Sequence, residues 1–243
     1  MANAFIDKLR SFAPLGKEEV AALASATDSP RLYAARQDLI REGDQPGPVF
    51  VMLEGWAFRY KILPKGTRQI IAFLLPGDCC DLHTNMLSVM DHSIQAVTAA
   101  KVALIPRTGM DSMMDAHANI ARAMYIAQLV DEGTLRSWIV SMGRRSSIER
   151  VAHLMCELYL RAAPSADVGV GNVALPLSQV VLADALGMTP VHINRVLKVL
   201  RTSGAMEINR RSLVILDPVR LVQIAGFDDP YLQRRRQQRG NGH

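Results

Sequence analysis

The sequence predicts an α+β protein with an antiparallel β-rich N-terminal part, a long central helix and a C-terminal winged helix-turn-helix. Short apolar strands alternate with Gly, Pro and Asp turn signals from Arg31 to Arg107. A helical pattern without an internal proline then covers residues 109–142. From Ser178 to Arg201, two short helical patterns flank one glycine with the spacing of a helix-turn-helix.

The N-terminal part begins with a predicted helical stretch and continues as short strands. Residues 3–27 form an amphipathic pattern that Pro14 and Gly16 interrupt. Many short strands at regular spacing favour an antiparallel sandwich or barrel, so we expect residues 1–108 to form one β-rich domain. The predicted strands are VFVML, WAFRYKIL, RQIIAFLL and KVALIP.

Residues 109–143 are expected to form one long helix with a broad apolar surface. One face could cover the β domain while another meets the same helix of a second copy, so a homodimer seam is favoured over packing within one chain. Gly143 interrupts the pattern, and Ser146 with Glu149 has the spacing of a capping box that starts a new helix. We place a hinge here and expect residues 144–227 to form the second domain.

The helix-turn-helix prediction rests on residue types at fixed positions. Ala183 lets two helices approach closely, Gly187 can take the positive φ of the tight turn, and Ile193 fills the gap between the helices. Thr189 is a suitable N-cap for the second helix, and Pro190 suits its first turn. An ordinary helical hairpin in a core is the alternative.

The segments after the helix-turn-helix predict a wing, a short helix and a tail. The strands AMEIN and SLVIL follow Gly204 and predict a β-hairpin with Arg210 and Arg211 near its tip. A last helix is predicted from Asp217-Pro218 to Gly226. Residues 228–243 are polar and basic, and we expect a flexible tail there.

The positive charge lies in the half that contains the helix-turn-helix. Residues 1–143 hold 14 basic and 15 acidic residues, a net charge of −1, whereas residues 144–243 hold 14 basic and 8 acidic residues, a net charge of +6. Such an asymmetry is typical of a surface that contacts nucleic-acid phosphates.

A helix over residues 190–201 would bury one apolar face and turn the opposite face towards a DNA major groove. Arg195 is the best candidate for reading bases, because its guanidinium can donate two hydrogen bonds to the O6 and N7 atoms of guanine. Val191 could touch a thymine methyl group, Asn194 could pair with adenine, and His192 could bond a base or a phosphate. Candidates for phosphate contacts are Ser178, Gln179, Thr189, Lys198, Arg210 and Arg211.

The sequence argues against an enzyme and against a membrane protein. It contains no nucleophile elbow, phosphate-cradling glycine loop or HExxH pair, and its six histidines lack zinc-like spacing. No early apolar run resembles a signal peptide and no apolar span could cross a bilayer, so we expect a cytoplasmic protein. Cys79, Cys80 and Cys156 are expected to be reduced thiols.

Three features agree with one another: the order of the parts, the stretch LADALGMTPVHINRVLKVLR, and the turns at Gly43-Asp44, Gly55 and Gly77-Asp78. Together they resemble the Crp/Fnr family of bacterial transcription regulators over nearly the whole chain. The resemblance implies a jelly-roll sensor domain similar to cyclic-nucleotide-binding domains and a homodimer on a palindromic double-stranded DNA site. It also makes RNA polymerase a further candidate partner.

Two departures from the family pattern limit what the resemblance implies. Pro190 and Val191 stand where many members carry Arg-Glu, so familiar target sequences should not be transferred. The cyclic-nucleotide binders of the family hold ribose with a Gly-Glu pair and phosphate with an Arg-Ser pair. Neither pair is present in the stretch Gly77–Leu82 or in Asp91-His92-Ser93. We therefore expect cyclic AMP to bind weakly or not at all, because Asp91 would repel a phosphate.

The signal that such a regulator senses stays open at the level of sequence. No N-terminal cysteine cluster is present, so no iron–sulfur cluster is expected. A haem, a metal or cysteine oxidation at Cys79, Cys80 and His83 is an alternative, although small buried core residues are the favoured interpretation of the cysteines. The candidate effector residues are Cys79, Cys80, Asp81, His83, Asp91 and His92.

Three functional hypotheses follow. The first is a ligand- or redox-responsive transcription factor, and the second is an effector-independent DNA binder whose sensor domain serves as a dimerisation scaffold. The third is a nucleotide-binding regulatory subunit of an enzyme, which the basic C-terminal half and the missing phosphate arginine both disfavour.

Overall fold

The N-terminal half is built on two four-stranded antiparallel sheets. The computed structural model describes residues 3–80, 82, 88–163, 167–209 and 211–233. The strands are β1 (Arg31–Tyr33), β2 (Asp38–Ile40), β3 (Val49–Glu54), β4 (Ala57–Ile62), β5 (Arg68–Leu74), β6 (Cys79–Cys80), β7 (Ser93–Ala96) and β8 (Ala100–Ile105). One sheet has the order β1-β8-β3-β6 and the other β2-β7-β4-β5. This arrangement confirms the predicted antiparallel β-rich fold.

Alternation along the strands gives each sheet two apolar faces. Phe50 and Met52 of β3 pack with Ile94 of β7 between the sheets, whereas Val49 and Val51 point to the opposite face of their sheet. The outer face of that sheet is covered by α1 (Ala4–Phe12), α2 (Lys17–Ala26), α3 (Arg107–Ala116) and the first turns of α4 (Ala118–Arg144). The predicted N-terminal helical stretch is thus two helices.

The prediction of a single helix over residues 109–143 is wrong, because two helices, α3 and α4, occupy this stretch. His117 has an extended backbone with φ −133° and ψ 94°, which separates α3 from α4. The physical reason is packing: Met110 of α3 and Ile120 of α4 are both fully buried in the same cluster, which the break allows them to reach. No Gly or Pro marks this break in the sequence.

The C-terminal half contains a helical core and a small antiparallel sheet. Its elements are α5 (Ser147–Ala162), β9 (Gly171–Ala174), α6 (Gln179–Leu186), α7 (Pro190–Thr202), β10 (Met206–Asn209), β11 (Ser212–Ile215), α8 (Pro218–Ala225) and a 3-10 helix (Pro230–Leu232). The capping box forms as predicted, because Ser146 Oγ accepts from the Glu149 amide and the Glu149 carboxylate accepts from the Ser146 amide.

The first residues of the predicted flexible tail are instead packed. Leu232 is buried, and the Tyr231 hydroxyl donates to Oε2 of the buried Glu157 at 3.1 Å. The absence of a side chain at Gly133 of α4 makes room, since a Cβ there would lie 3.1 Å from Cβ of Tyr231. Residues 234–243 lie outside the described part of the chain.

The two halves share one hydrophobic cluster. It joins Phe58, Ile70 and Phe73, on the outer face of the second sheet, to Leu158 of α5 and Ala185 of α6. Strand β5 is the edge strand of that sheet, so the C-terminal half covers an edge that would otherwise be open. The β domain and the helix-turn-helix are therefore packed against one another rather than linked only through residues 143–146.

We predict that the buried His153 of α5 makes stability fall in mild acid. Its ring lies 4.9 Å from the ring of Phe227, and burial, with a smaller contribution from Arg145, lowers its pKa from 6.5 to about 4. As the pH falls, the His153 ring binds a proton in the unfolded chain before it does so in the folded protein. The free energy of unfolding is therefore unaffected by His153 above pH 6.5 and decreases as the pH falls towards 4. At pH 4.5 the loss should be about 2–3 kcal/mol.

The measurement is urea unfolding at pH 7 and pH 4.5 for the wild type and His153→Leu. The leucine variant should lose about 2 kcal/mol less than the wild type across this interval. Equal losses in both proteins would show that His153 does not titrate as described.

Candidate nucleic-acid interface

The helix-turn-helix is formed by α6 and α7 around a left-handed glycine. Gly187 has φ +63° and ends α6, and the Met188 amide donates to the Ala183 carbonyl oxygen at 3.1 Å. Ser178 caps the start of α6, where its hydroxyl oxygen accepts from the Val181 amide at 3.2 Å. Ala183 is buried at the helix crossing, as the prediction requires.

Helix α7 begins with the predicted cap and buries the predicted face. Thr189 Oγ1 accepts from the His192 amide at 3.2 Å, and Pro190 occupies the first turn, where it costs no hydrogen bond. The buried side of the helix consists of Ile193, Val196 and Leu200, with Leu197 half-buried beside them. A helix fixed along one side presents its other side in a defined direction.

The outward face of α7 carries the candidate reading residues. Val191, Asn194, Arg195 and Lys198 are exposed, while His192 is half-buried. Val191 is 71% exposed, so its methyl groups are accessible for contact with a thymine methyl group. These side chains lie together on one surface of α7, and a DNA major groove is wide enough to admit an α-helix.

Sequence reasoning missed one basic residue on this surface. Arg201 is exposed in the last turn of α7, three residues after Lys198, and therefore continues the same helical face. The i, i+3 spacing was the signal that could have found it.

The wing and the start of α6 supply the candidate phosphate contacts. Strands β10 and β11 pair in antiparallel register from Met206–Ile215 to Asn209–Ser212, with β9 as the third strand. Arg211 is exposed at the hairpin turn, and its carbonyl oxygen accepts from the Leu175 amide at 2.7 Å. Arg210 lies outside the described residues. Ser178, Gln179 and Thr189 are exposed at helix N-termini, which favour anions.

Both halves of the chain match known protein families. Residues 149–224 match the model of a Crp-like helix-turn-helix domain, and residues 30–117 match that of a cyclic nucleotide-binding domain. The transcriptional activatory protein AadR of Rhodopseudomonas palustris is 31% identical over 201 residues, covering 79% of this chain and 80% of AadR. The chain belongs to the Crp/Fnr family. It is thus a transcription regulator with a DNA-binding helix-turn-helix and not an enzyme.

Other Crp/Fnr proteins extend the comparison. The nitrogen fixation regulation protein FixK of Bradyrhizobium diazoefficiens is 29% identical over 196 residues, covering 79% of this chain and 80% of FixK. The structure of FixK2 from Bradyrhizobium japonicum matches with a TM-score of 0.71 at 24% identity, covering 83% of this chain and 98% of FixK2. This structural match confirms the fold.

A cavity lies between the β domain and α4 of this Crp/Fnr protein, beside two of the candidate effector residues. Its volume is about 180 Å³. The described residues around it are Arg59, Cys79, Cys80, Leu82, Met124, Ala127, Gln128 and Asp131. Arg59 Nη1 donates to Asp131 Oδ2 at 2.9 Å, so its positive charge already faces a carboxylate. Asp81 and His83 lie outside the described residues.

The cysteines beside the cavity have the properties of core residues. Cys79 packs with the cluster around α1 and α4, whereas Cys80 is buried between the two sheets. Burial raises the pKa of the Cys79 thiol to about 12, so it is protonated at neutral pH and is a poor nucleophile.

Asp91 and His92 form a local pair. Asp91 Oδ1 lies 2.7 Å from Nδ1 of the largely buried His92, whose hydrogen bond lowers the pKa of Asp91. Within the described part of the chain, neither residue lines the cavity between the β domain and α4. Among the helices of the described residues, none is long and apolar enough to span a bilayer.

Proposed function

We propose that this protein is a sequence-specific transcription regulator that binds a palindromic DNA site as a homodimer. The observation that carries the proposal is the outward face of α7, where Arg195 stands exposed opposite the fully buried Ile193. Arg195 would read a guanine in each half-site, and Val191 and Asn194 would contact neighbouring bases. The charge of +6 on residues 144–243 would draw the domain to the phosphates.

The surface of α4 supports the homodimer. This helix exposes large apolar side chains from Tyr125 onwards, with Leu129 56% and Ile139 71% exposed. A row of such residues on a 27-residue helix fits a helix pair across a twofold axis, and dimers with this symmetry are the commonest oligomers. The apolar side chains available for it are Tyr125, Leu129, Leu135, Ile139, Val140 and Met142.

The geometry of the sensor cavity favours a regulator that does not respond to cyclic AMP. A cyclic phosphate needs an available cation, and Arg59 is held by Asp131 at 2.9 Å. The protonated Cys79 and the buried Cys80 favour a structural role over haem ligation or thiolate redox chemistry. Of the alternatives, an effector-independent DNA binder fits these contacts best, with the N-terminal half as a dimerisation scaffold.

The experiment for the reading role is Arg195→Ala. Preference at one base pair in each half-site should fall by about 1–3 kcal/mol, because the bidentate contact with guanine is lost. Competition binding against duplexes substituted at each position measures this discrimination. Arg10→Ala, which removes an exposed arginine of α1, should leave it unchanged.

A second variant separates base reading from phosphate contact. Arg211→Gln should weaken binding to every duplex by a similar factor and flatten the dependence on salt. Equal selectivity in Arg195→Ala and the wild type would rule out the reading role of Arg195.

A further inference from the structure

A polar contact joins the helix-turn-helix to the edge of the β domain. Arg68, the first residue of β5, donates from Nε to Asp184 Oδ2 of α6 at 2.8 Å, and its Nη2 lies 2.7 Å from the same oxygen. The guanidinium of Arg68 also lies over the rings of Phe58 and Tyr60, with centroids at 5.0 and 5.9 Å. The arginine is thus oriented on its own sheet before it meets α6.

A second hydrogen bond lies beside the first. Gln69 Nε2 donates to the carbonyl oxygen of Ala185 at 3.2 Å, and Ala185 is fully buried. Arg68 and Gln69 are consecutive on β5, and Asp184 and Ala185 are consecutive near the end of α6. We call these four residues the β5–α6 clamp.

The clamp acts on α7 through the helix crossing. Helix α6 holds α7 through Ala183 and the buried Ile193, so the two helices form one unit. Among the described residues, the side-chain hydrogen bonds and ion pairs between this two-helix unit and the β domain are those of the clamp. The chain connection leaves the helical conformation at Arg145, with φ −81° and ψ 143°, and Arg150 of α5 donates to the carbonyl oxygens of Met142 and Arg145 there.

We propose that the β5–α6 clamp positions the reading helix relative to the dimer axis and thereby sets the half-site spacing that the protein accepts. The inference rests on the proposed function as a dimeric DNA binder. The α7 helices of the two subunits must enter successive major grooves about 34 Å apart. A small rotation of each two-helix unit therefore changes the half-site spacing that the dimer can bind. The outward face of α7 is exposed while the clamp is closed, so the clamp is compatible with DNA binding.

The experiment compares full-length wild type with Arg68→Asp, Asp184→Arg and the double charge exchange. Each protein is titrated with duplexes that carry both half-sites at the preferred spacing, the same half-sites with one or two base pairs inserted, and one half-site alone. Each single variant should bind the preferred duplex about 5- to 10-fold more weakly and discriminate less between spacings, because like charges then face each other. Affinity for one half-site should remain unchanged. The double variant should recover most of the spacing preference.

Two further variants control for charge and for folding. Lys61→Glu reverses a half-exposed charge on the neighbouring strand β4, where Lys61 pairs with Glu42 rather than with α6, and it should keep the wild-type spacing profile. Arg68→Gln and Asp184→Asn break the ion pair without repulsion and should show the same loss of spacing preference to a smaller degree.

The outcomes decide between the two proposals. An unchanged spacing profile in the single variants, or tighter binding than wild type, overturns the clamp while leaving the DNA-binding function intact. An equal loss on one half-site and on two shows that the residues only support the fold, which also overturns it. A wild type that prefers no duplex rejects the proposed function and the clamp together.

Discussion

Replacing Arg161 with methionine is expected to lower the free energy of unfolding by about 3 kcal/mol. Arg161 of α5 is the centre of a buried network, with Nη2 at 2.8 Å from Asp78 Oδ2 and Nη1 at 3.2 Å from Glu157 Oε1. Nη2 also donates to the Phe73 carbonyl oxygen at 2.6 Å. Lys8 still faces Asp78 in the variant, so the loss should lie near the lower end for a broken buried pair.

The pH dependence of this loss follows from the carboxylate that remains. Burial raises the pKa of Glu157, and removal of Arg161 would raise it further by taking away the nearest positive charge. A carboxyl group with a raised folded-state pKa binds its proton more readily when folded, so the deficit of the variant relative to the wild type should shrink as the pH falls below neutral.

Urea unfolding at pH 7 and pH 5 measures both effects. Arg136→Met is the matched control, since Arg136 makes an exposed i, i+4 pair with Glu132 at 3.5 Å and should change stability by less than about 0.5 kcal/mol. If Arg161→Met and Arg136→Met have equal stabilities, the buried network does not join the two halves energetically.

Replacing Ile193 with alanine should cost about 3 kcal/mol of stability in the C-terminal half and abolish high-affinity DNA binding. Ile193 is fully buried between α6 and α7, so truncation leaves a cavity at the crossing that sets the direction of α7. Val191→Ala is the control for stability, because that side chain is 71% exposed.

Two measurements distinguish the variants at Ile193 and Val191. In urea unfolding, Ile193→Ala should be less stable than the wild type and Val191→Ala should match it. In DNA titrations, Val191→Ala should lose preference only at the base pair that it touches. Wild-type stability and affinity in Ile193→Ala would show that the packing of α6 against α7 at Ile193 does not fix the direction of α7.

Local chemistry explains which parts of the fold could be predicted from the sequence. The helix starts at Ser146 and Thr189 depend on side chains that cap amides three residues later, and both caps are present. The turn at Gly187 depends on a left-handed φ that glycine adopts without strain. The outward face of α7 follows from helical periodicity alone, which is why Arg195 and Lys198 were placed correctly on it.

The features that escaped prediction depend on partners far apart in the chain. Arg161 meets Asp78 across 83 residues, and Arg68 meets Asp184 across 116 residues. Sequence periodicity cannot predict such pairs, because they form only when the two halves of the protein pack together. The contact of Tyr231 with Gly133 also joins residues far apart in the chain. The sequence therefore predicts a flexible polar tail from residue 228, whereas Tyr231 is packed against α4.

The α7 helices of both subunits are expected to read one DNA site together. The most direct test is selection of bound duplexes from a random library by the full-length protein, with and without cyclic AMP. We expect one pseudo-palindromic motif whose half-sites are about one helical turn apart, unchanged by cyclic AMP, with one guanine per half-site whose selection disappears in Arg195→Ala. Recovery of no sequence above the random competitor would contradict the account.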